Sequence, residues 1–139
     1  MISDERGQAL IESVLLGLLL IIPIVWALMV LADVHRAALA ATSAAREAGF
    51  DAARSDDLVA AGASIDRAVQ LALENHGLDA DESRVRWSAG EGLERGARVE
   101  VHVAYPVRVV RFPFLGEVSG PSFWVRSTHI ARVDPFASR

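Results

Sequence analysis

Ser13-Val14-Leu15-Leu16-Gly17-Leu18-Leu19-Leu20-Ile21-Ile22-Pro23-Ile24-Val25-Trp26-Ala27-Leu28-Met29-Val30-Leu31-Ala32 is a run of twenty residues without one charged side chain. As a helix rising about 1.5 Å per residue it is about 30 Å long, the thickness of a bilayer's hydrocarbon. It is apolar on every side, so it belongs in lipid or in a large core. The chain has 139 residues, too few to wrap such a rod in protein, and lipid is the expected surrounding. Pro23 removes one backbone hydrogen bond and is expected to kink the helix, which membrane helices tolerate. Trp26 reads as bulk against lipid or a neighbouring helix. Glu12 stands directly ahead of the run. A carboxylate at the mouth of a membrane segment is costly to bury and marks a functional position.

On the N-terminal side, a cleaved secretory signal is the first alternative. Such signals have a basic start and an apolar core of about 7–15 residues. Here the terminal amine and Arg6 are offset by Asp4 and Glu5, and the apolar run is longer. A cut near Ala37-Ala38-Leu39-Ala40-Ala41 is conceivable but disfavoured. Flanking charge gives no usable orientation, because Arg6 precedes the run while Arg36 and Arg46 follow it. Gly7 lacks a Cβ, so an extended backbone can enter a protease cleft closely there. Charged residues upstream stay in water and apolar residues downstream enter lipid. The Gly7–Gln8 bond is thus held at the interface.

The string Glu5-Arg6-Gly7-Gln8-Ala9-Leu10-Ile11-Glu12, followed by the apolar run, resembles the class III leader of type IV pilin-like proteins. The short leader, single helix, small-residue extension and compact C-terminal domain resemble the TadE-like minor pseudopilins of tight-adherence pili. Ala44-Ala45-Arg46-Glu47-Ala48-Gly49 is similar to the small-residue stretch after the span in that family, and Ser13 stands where the family often has an aromatic. The resemblance implies cleavage after Gly7 by a prepilin peptidase, leaving Gln8 as the new N-terminus and Glu12 as its fifth residue. It implies a non-enzymatic structural subunit needed for pilus assembly. The subunit would sit in the cytoplasmic (inner) membrane, N-terminus inside and domain outside, before entering a pilus. The implied partners are the peptidase, other pilins and pseudopilins through the N-terminal helix, the assembly machinery in the membrane, and the bilayer. Glu12 then pairs with a neighbour's terminal amine and sets register; breaking such a buried pair costs about 3–5 kcal/mol.

Beyond the span, Ala37, Ala38, Ala41, Ala44, Ala45 and Ala48 recur at helical spacing. Alanine is the best helix former and lets a partner approach closely. The partner is either the chain's own sheet or another subunit's helix. Ser55-Asp56-Asp57 reads as a helix start, with acids placed favourably on the dipole. Leu58, Ile65, Val69, Ala72 and Leu73 form a stripe of helical period, and Asn75-His76-Gly77-Leu78 closes it with a glycine cap. A second helix is expected over 56–76. Val85 and Trp87 alternate with polar neighbours, and Gly90 to Gly96 reads as a hairpin connection. Ala97, Val99, Val101, Val103 and Tyr105 then alternate with Arg98, Glu100 and His102, as a half-buried antiparallel strand requires. Pro106 is expected where this strand ends or reaches an edge. Residues 122–132 are β-rich with poorer alternation, so their facing is undefined. The fold class is α+β: a long N-terminal transmembrane and stalk helix, a second amphipathic helix, and a small three-stranded antiparallel sheet. The divisions are a leader over 1–7, the span and stalk over 8–53 with the membrane part at 13–32, a domain over 54–133 and a flexible tail over 134–139. One small domain with a thin core is what this length supports.

Formal net charge is −4, from 14 basic and 18 acidic residues, and no basic patch in the sequence suggests nucleic acid. Every basic residue is arginine, and alanine is abundant. The pattern reads as GC-rich coding and not as arginine-specific chemistry. Cysteine is absent, so neither disulfide nor thiol chemistry is available. His35, His76, His102 and His129 lack close metal-ligand spacing, and no metal or cofactor is expected. His102 and His129 are the pair that adjacent strands would bring together. Gly90-x-Gly92-x-x-x-Gly96 leads into a strand, so it is a hairpin and not a phosphate cradle, which needs a helix start. No serine lies in a nucleophile elbow. Phe112, Phe114 and Leu115, in an apolar loop, are the candidate partner surface, with packing on their own core as the rival reading. An uncleaved single-pass sensor or binding module is the alternative to the pseudopilin. A small secreted enzyme is disfavoured.

Overall fold

The computed structural model describes residues 3–109 and 121–135. Helix α1 spans Ser3–Arg54 and α2 spans Leu58–Asn75. A short 3-10 turn covers Ala80–Glu82, and strands follow at Arg84–Leu93 (β1), Arg98–Arg108 (β2) and Ser122–Arg132 (β3). The chain divides into two units, one up to Asp33 and one from Val34. The α+β expectation holds in every element.

The first unit is helix alone. Its apolar side chains have nothing to pack against, so no residue between Gly7 and Asp33 is buried. Leu19 is 69% exposed and Ile22 59%. The helix is long and apolar enough to cross a membrane. Pro23 lies inside it, and without its N–H the Leu19 carbonyl loses its usual donor. Ser13 is neutralised locally: its hydroxyl donates to the Ala9 carbonyl at 2.9 Å.

The second unit is built on a sheet of order β1-β2-β3, antiparallel throughout. Val99, Val101 and Val103 of β2 point to one face and are 0–1% exposed. Register places Ala89, Trp87 and Val85 of β1 beside them, and Ala131, His129 and Ser127 of β3. The residues of α1 from Ala37 to Ala53 and the stripe of α2 belong to the same core. Ala40, Ala41, Ala44, Ala45, Ala48 and Ala52 are all fully buried. The alanine face is therefore the domain's own inner surface. Ala38 lies at its margin and Ala40 takes the central place. Small side chains are needed because the sheet comes close: a Cβ on Gly49 would lie 2.8 Å from His129 Cδ2 and 3.5 Å from the Ala131 Cβ.

Helix α2 starts two residues later than expected, with Asp57 as its cap and no acidic residue in its first turn. The Asp57 carboxylate accepts from the Ala60 N–H at 2.7 Å. The helix ends in a Schellman arrangement around Gly77, φ +68°. There Gly77 N–H donates to Glu74 at 2.8 Å and Leu78 N–H to Leu73 at 3.0 Å. Ile65, Val69, Ala72 and Leu73 are buried as the stripe requires. Leu58 is 48% exposed, because it is the first helical residue, ahead of the turn that meets the sheet. A Ser55–Ser64 hydroxyl contact at 3.2 Å ties the corner between the helices.

One strand expectation changes, and at Pro106 the second of two alternatives is met. β1 runs on through Gly90 and Gly92 to Leu93, so the connection shrinks to a turn in which Ala97 N–H donates to Glu94 at 3.0 Å. Gly96 supplies the positive φ, +80°, that the third turn position needs. β2 continues past Pro106 to Arg108 although it is the central strand. The pairing with β1 stops at Arg84↔Ala104, so beyond Ala104 strand β2 has β3 alone beside it. Pro106 therefore sits at a local edge, where a missing N–H is tolerated. Val133, 0% exposed, is the last buried residue among those described, and its N–H donates to the Ala97 carbonyl at 2.9 Å.

Candidate functional site

Three regions carry the candidate residues. At the N-terminus, Gly7 and Gln8 are helical and exposed, and a Cβ on Gly7 would meet nothing within 4 Å. The extended approach expected at Gly7 is thus not the resting conformation; a protease must first unwind the start of α1, and helix ends open at little cost. Glu12 is exposed in the next turns, and among the described residues no group pairs with it. A carboxylate with no partner among the described residues, at the mouth of an apolar helix, is available to a partner from outside.

The apolar loop with Phe112, Phe114 and Leu115 lies outside the described residues.

The histidines separate. Val101, not His102, faces His129, and His102 faces Thr128. A strand's side chains alternate between faces, so His102 is on the open side and His129 on the inner side. They cannot share a ligand, and among the described residues no three metal-ligating side chains cluster. His102 Nε2 lies 3.2 Å from Glu100 Oε1, and Nδ1 lies 2.7 Å from the Thr128 hydroxyl. Donation from Nε2–H to the carboxylate and from the hydroxyl to Nδ1 satisfies all three groups. His129 packs with Phe50 at 5.2 Å between ring centroids, and its buried Nε2 has no hydrogen-bond partner. His76 caps the end of α2. Tyr105 is buried, which pushes its hydroxyl pKa above the usual phenol value. Glu82 and Asp79 push the same way, and the Asp79 backbone hydrogen bond and Arg108 oppose them.

The open face of the sheet holds a feature the sequence reading passed over. Arg84 of β1 and Arg126 of β3 both flank Ala104, and in the next row Arg86 and Thr128 flank His102. Trp124 rises beside them, with the Arg84 guanidinium 4.1 Å from its ring centroid. Together they line a cleft of about 380 Å3. The signal was present: Arg84-x-Arg86 and Trp124-x-Arg126 each place two large side chains on one face of a strand. Only the register shows that the two pairs share that face. No protein-family model, curated protein or solved structure matches the chain.

Proposed function

We propose that the chain is a minor pseudopilin of the TadE-like kind, a structural subunit for assembly of a tight-adherence pilus. The observation that carries the reading is an exposed Gly7–Gln8 bond and a Glu12 with no partner among the described residues, set ahead of a helix whose described apolar side chains are exposed. The subunit waits in the cytoplasmic membrane with its N-terminus inside and its domain outside. A prepilin peptidase unwinds the first two turns and hydrolyses the Gly7–Gln8 amide with water, leaving a carboxylate on Gly7 and a free amine on Gln8. On entering a bundle of like helices, the apolar surface exchanges lipid for protein, which is nearly neutral for hydrophobic burial. Packing and polar pairing then decide the register. Glu12 with a neighbour's amine is the polar pair available for that step.

An uncleaved single-pass binding module remains the second reading, and the open-face cleft is the observation in its favour. Intact-mass measurement on protein extracted from membranes separates the two. Loss of residues 1–7 supports the pseudopilin. An intact N-terminus, unchanged in cells without the peptidase, refutes it. Within the first reading, Glu12→Gln leaves processing intact and abolishes incorporation into pili.

A further inference from the structure

We propose that the cleft on the open face of the sheet binds an acidic sugar, a uronate or sulfated residue of a glycan. The inference does not depend on the pseudopilin reading. Ala104 forms the floor, and Arg84 and Arg126 stand on the two neighbouring strands beside it. Strands are about 4.8 Å apart, so these two arginines start about 10 Å apart and can converge on one ligand. Like charges on neighbouring positions of a sheet face repel. In a chain of formal charge −4, nothing about overall composition forces three guanidiniums together here. Two carboxylates near this face are already engaged, Glu100 by His102 and Glu82 by Arg108. Among the described residues no carboxylate pairs with Arg84, Arg86 or Arg126.

The charge fixes the ligand's sign, and the surroundings fix its class. A guanidinium fork matches the planar oxygens of a carboxylate or the oxygens of a sulfate. A simple inorganic anion needs neither a half-buried indole wall nor 380 Å3, a volume in the range of small-molecule sites. An acidic peptide would dock through its backbone at a sheet edge. This floor lies on the middle strand, where backbone groups are paired with both neighbours as far as Ala104. Recognition must therefore come from side chains alone. Trp124, one ring face of which lies under the Arg84 guanidinium, offers its remaining exposed surface to the C–H face of a sugar, and the Thr128 oxygen has accepting capacity left for a sugar hydroxyl.

The test is calorimetric titration of the full chain in neutral detergent micelles with trigalacturonate. Neutral maltotriose, inorganic phosphate and a short polyglutamate serve as comparison probes. Binding of trigalacturonate is expected, with none of maltotriose. Arg126→Gln and Arg86→Gln each weaken it about tenfold or more, as loss of a charged hydrogen bond does. Arg126→Lys lies between, and Trp124→Leu weakens trigalacturonate without changing the response to phosphate. These positions are on the surface, so unchanged circular dichroism accompanies each variant. The proposal is overturned if the native chain ignores trigalacturonate or if phosphate or polyglutamate binds as tightly. Indifference to Arg126→Gln, or self-association of the chain that this variant abolishes, overturns it as well.

Discussion

At the scale of single residues, Gly49 on α1 is the described glycine with the least room for a Cβ, which would press on His129 of β3. The alanine spacing around Gly49 was legible because helical period is local. The need for glycine itself was not, because it depends on a ring that the chain delivers much later. Nor was the facing of His129: β3 puts Ile130, 54% exposed, outward and His129 inward, against the preference of both side chains. The two observations join in one prediction. Gly49→Ala gains about 1 kcal/mol of helix propensity, but its Cβ would meet His129 Cδ2 at 2.8 Å. The ring is held by Phe50 at 5.2 Å, so relief requires moving two aromatic groups, and overpacking costs about 1–3 kcal/mol. Urea unfolding should show the variant less stable by about 1 kcal/mol. With His129→Ala already in place the sign reverses, and the same change stabilises. A stabilising Gly49→Ala in the native background would mean the contact is softer than its geometry.

At the scale of elements, α2 was the best-read part of the chain, since cap, stripe and stop are all encoded locally. Asp57 and Gly77 do what their types suggest, and the helix falls within two residues of the expected bounds. β1 was read short because Gly90 and Gly92 are breakers by propensity, and tertiary pairing overrides propensity in strands. At Pro106 strand β2 runs on, but at the edge that a proline requires. The chain offers an internal comparison on α2. Leu73 is fully buried and Leu71 is 52% exposed. Leu73→Ala should cost about 2–5 kcal/mol by removing core contacts and leaving a cavity. Leu71→Ala should cost well under 1 kcal/mol, because surface changes of this kind are small. The readout is the urea midpoint of the full chain in detergent, and equal shifts would place the helix in a different rotation about its axis.

At the scale of the whole molecule, legibility divides between the two units. The long apolar helix was fully legible, since an unbroken apolar run carries its own signal. The open-face cleft was not, because its arginines come from separate strands and are assembled only by register. The division of the chain into an apolar helix and a core-bearing domain predicts where charge can be tolerated. Thirteen Leu, Ile and Val residues lie between Ser13 and Ala32. At about −0.3 to −0.6 kcal/mol each on a biological insertion scale, they favour the membrane by about 4–8 kcal/mol. One arginine near the centre costs about 2.5–3.5 kcal/mol on that scale, so Leu20→Arg alone should remain inserted. Leu20→Arg with Ile24→Arg costs about 5–7 kcal/mol and cancels most of the gain. Alkaline-carbonate extraction should then release a large share of the double variant. It should release little of the single variant, or of a chain carrying Val59→Arg on α2, where the native side chain is already 83% exposed. A double variant held as firmly as the native chain would mean that the exposed helix is kept at the membrane by a protein partner and not by lipid.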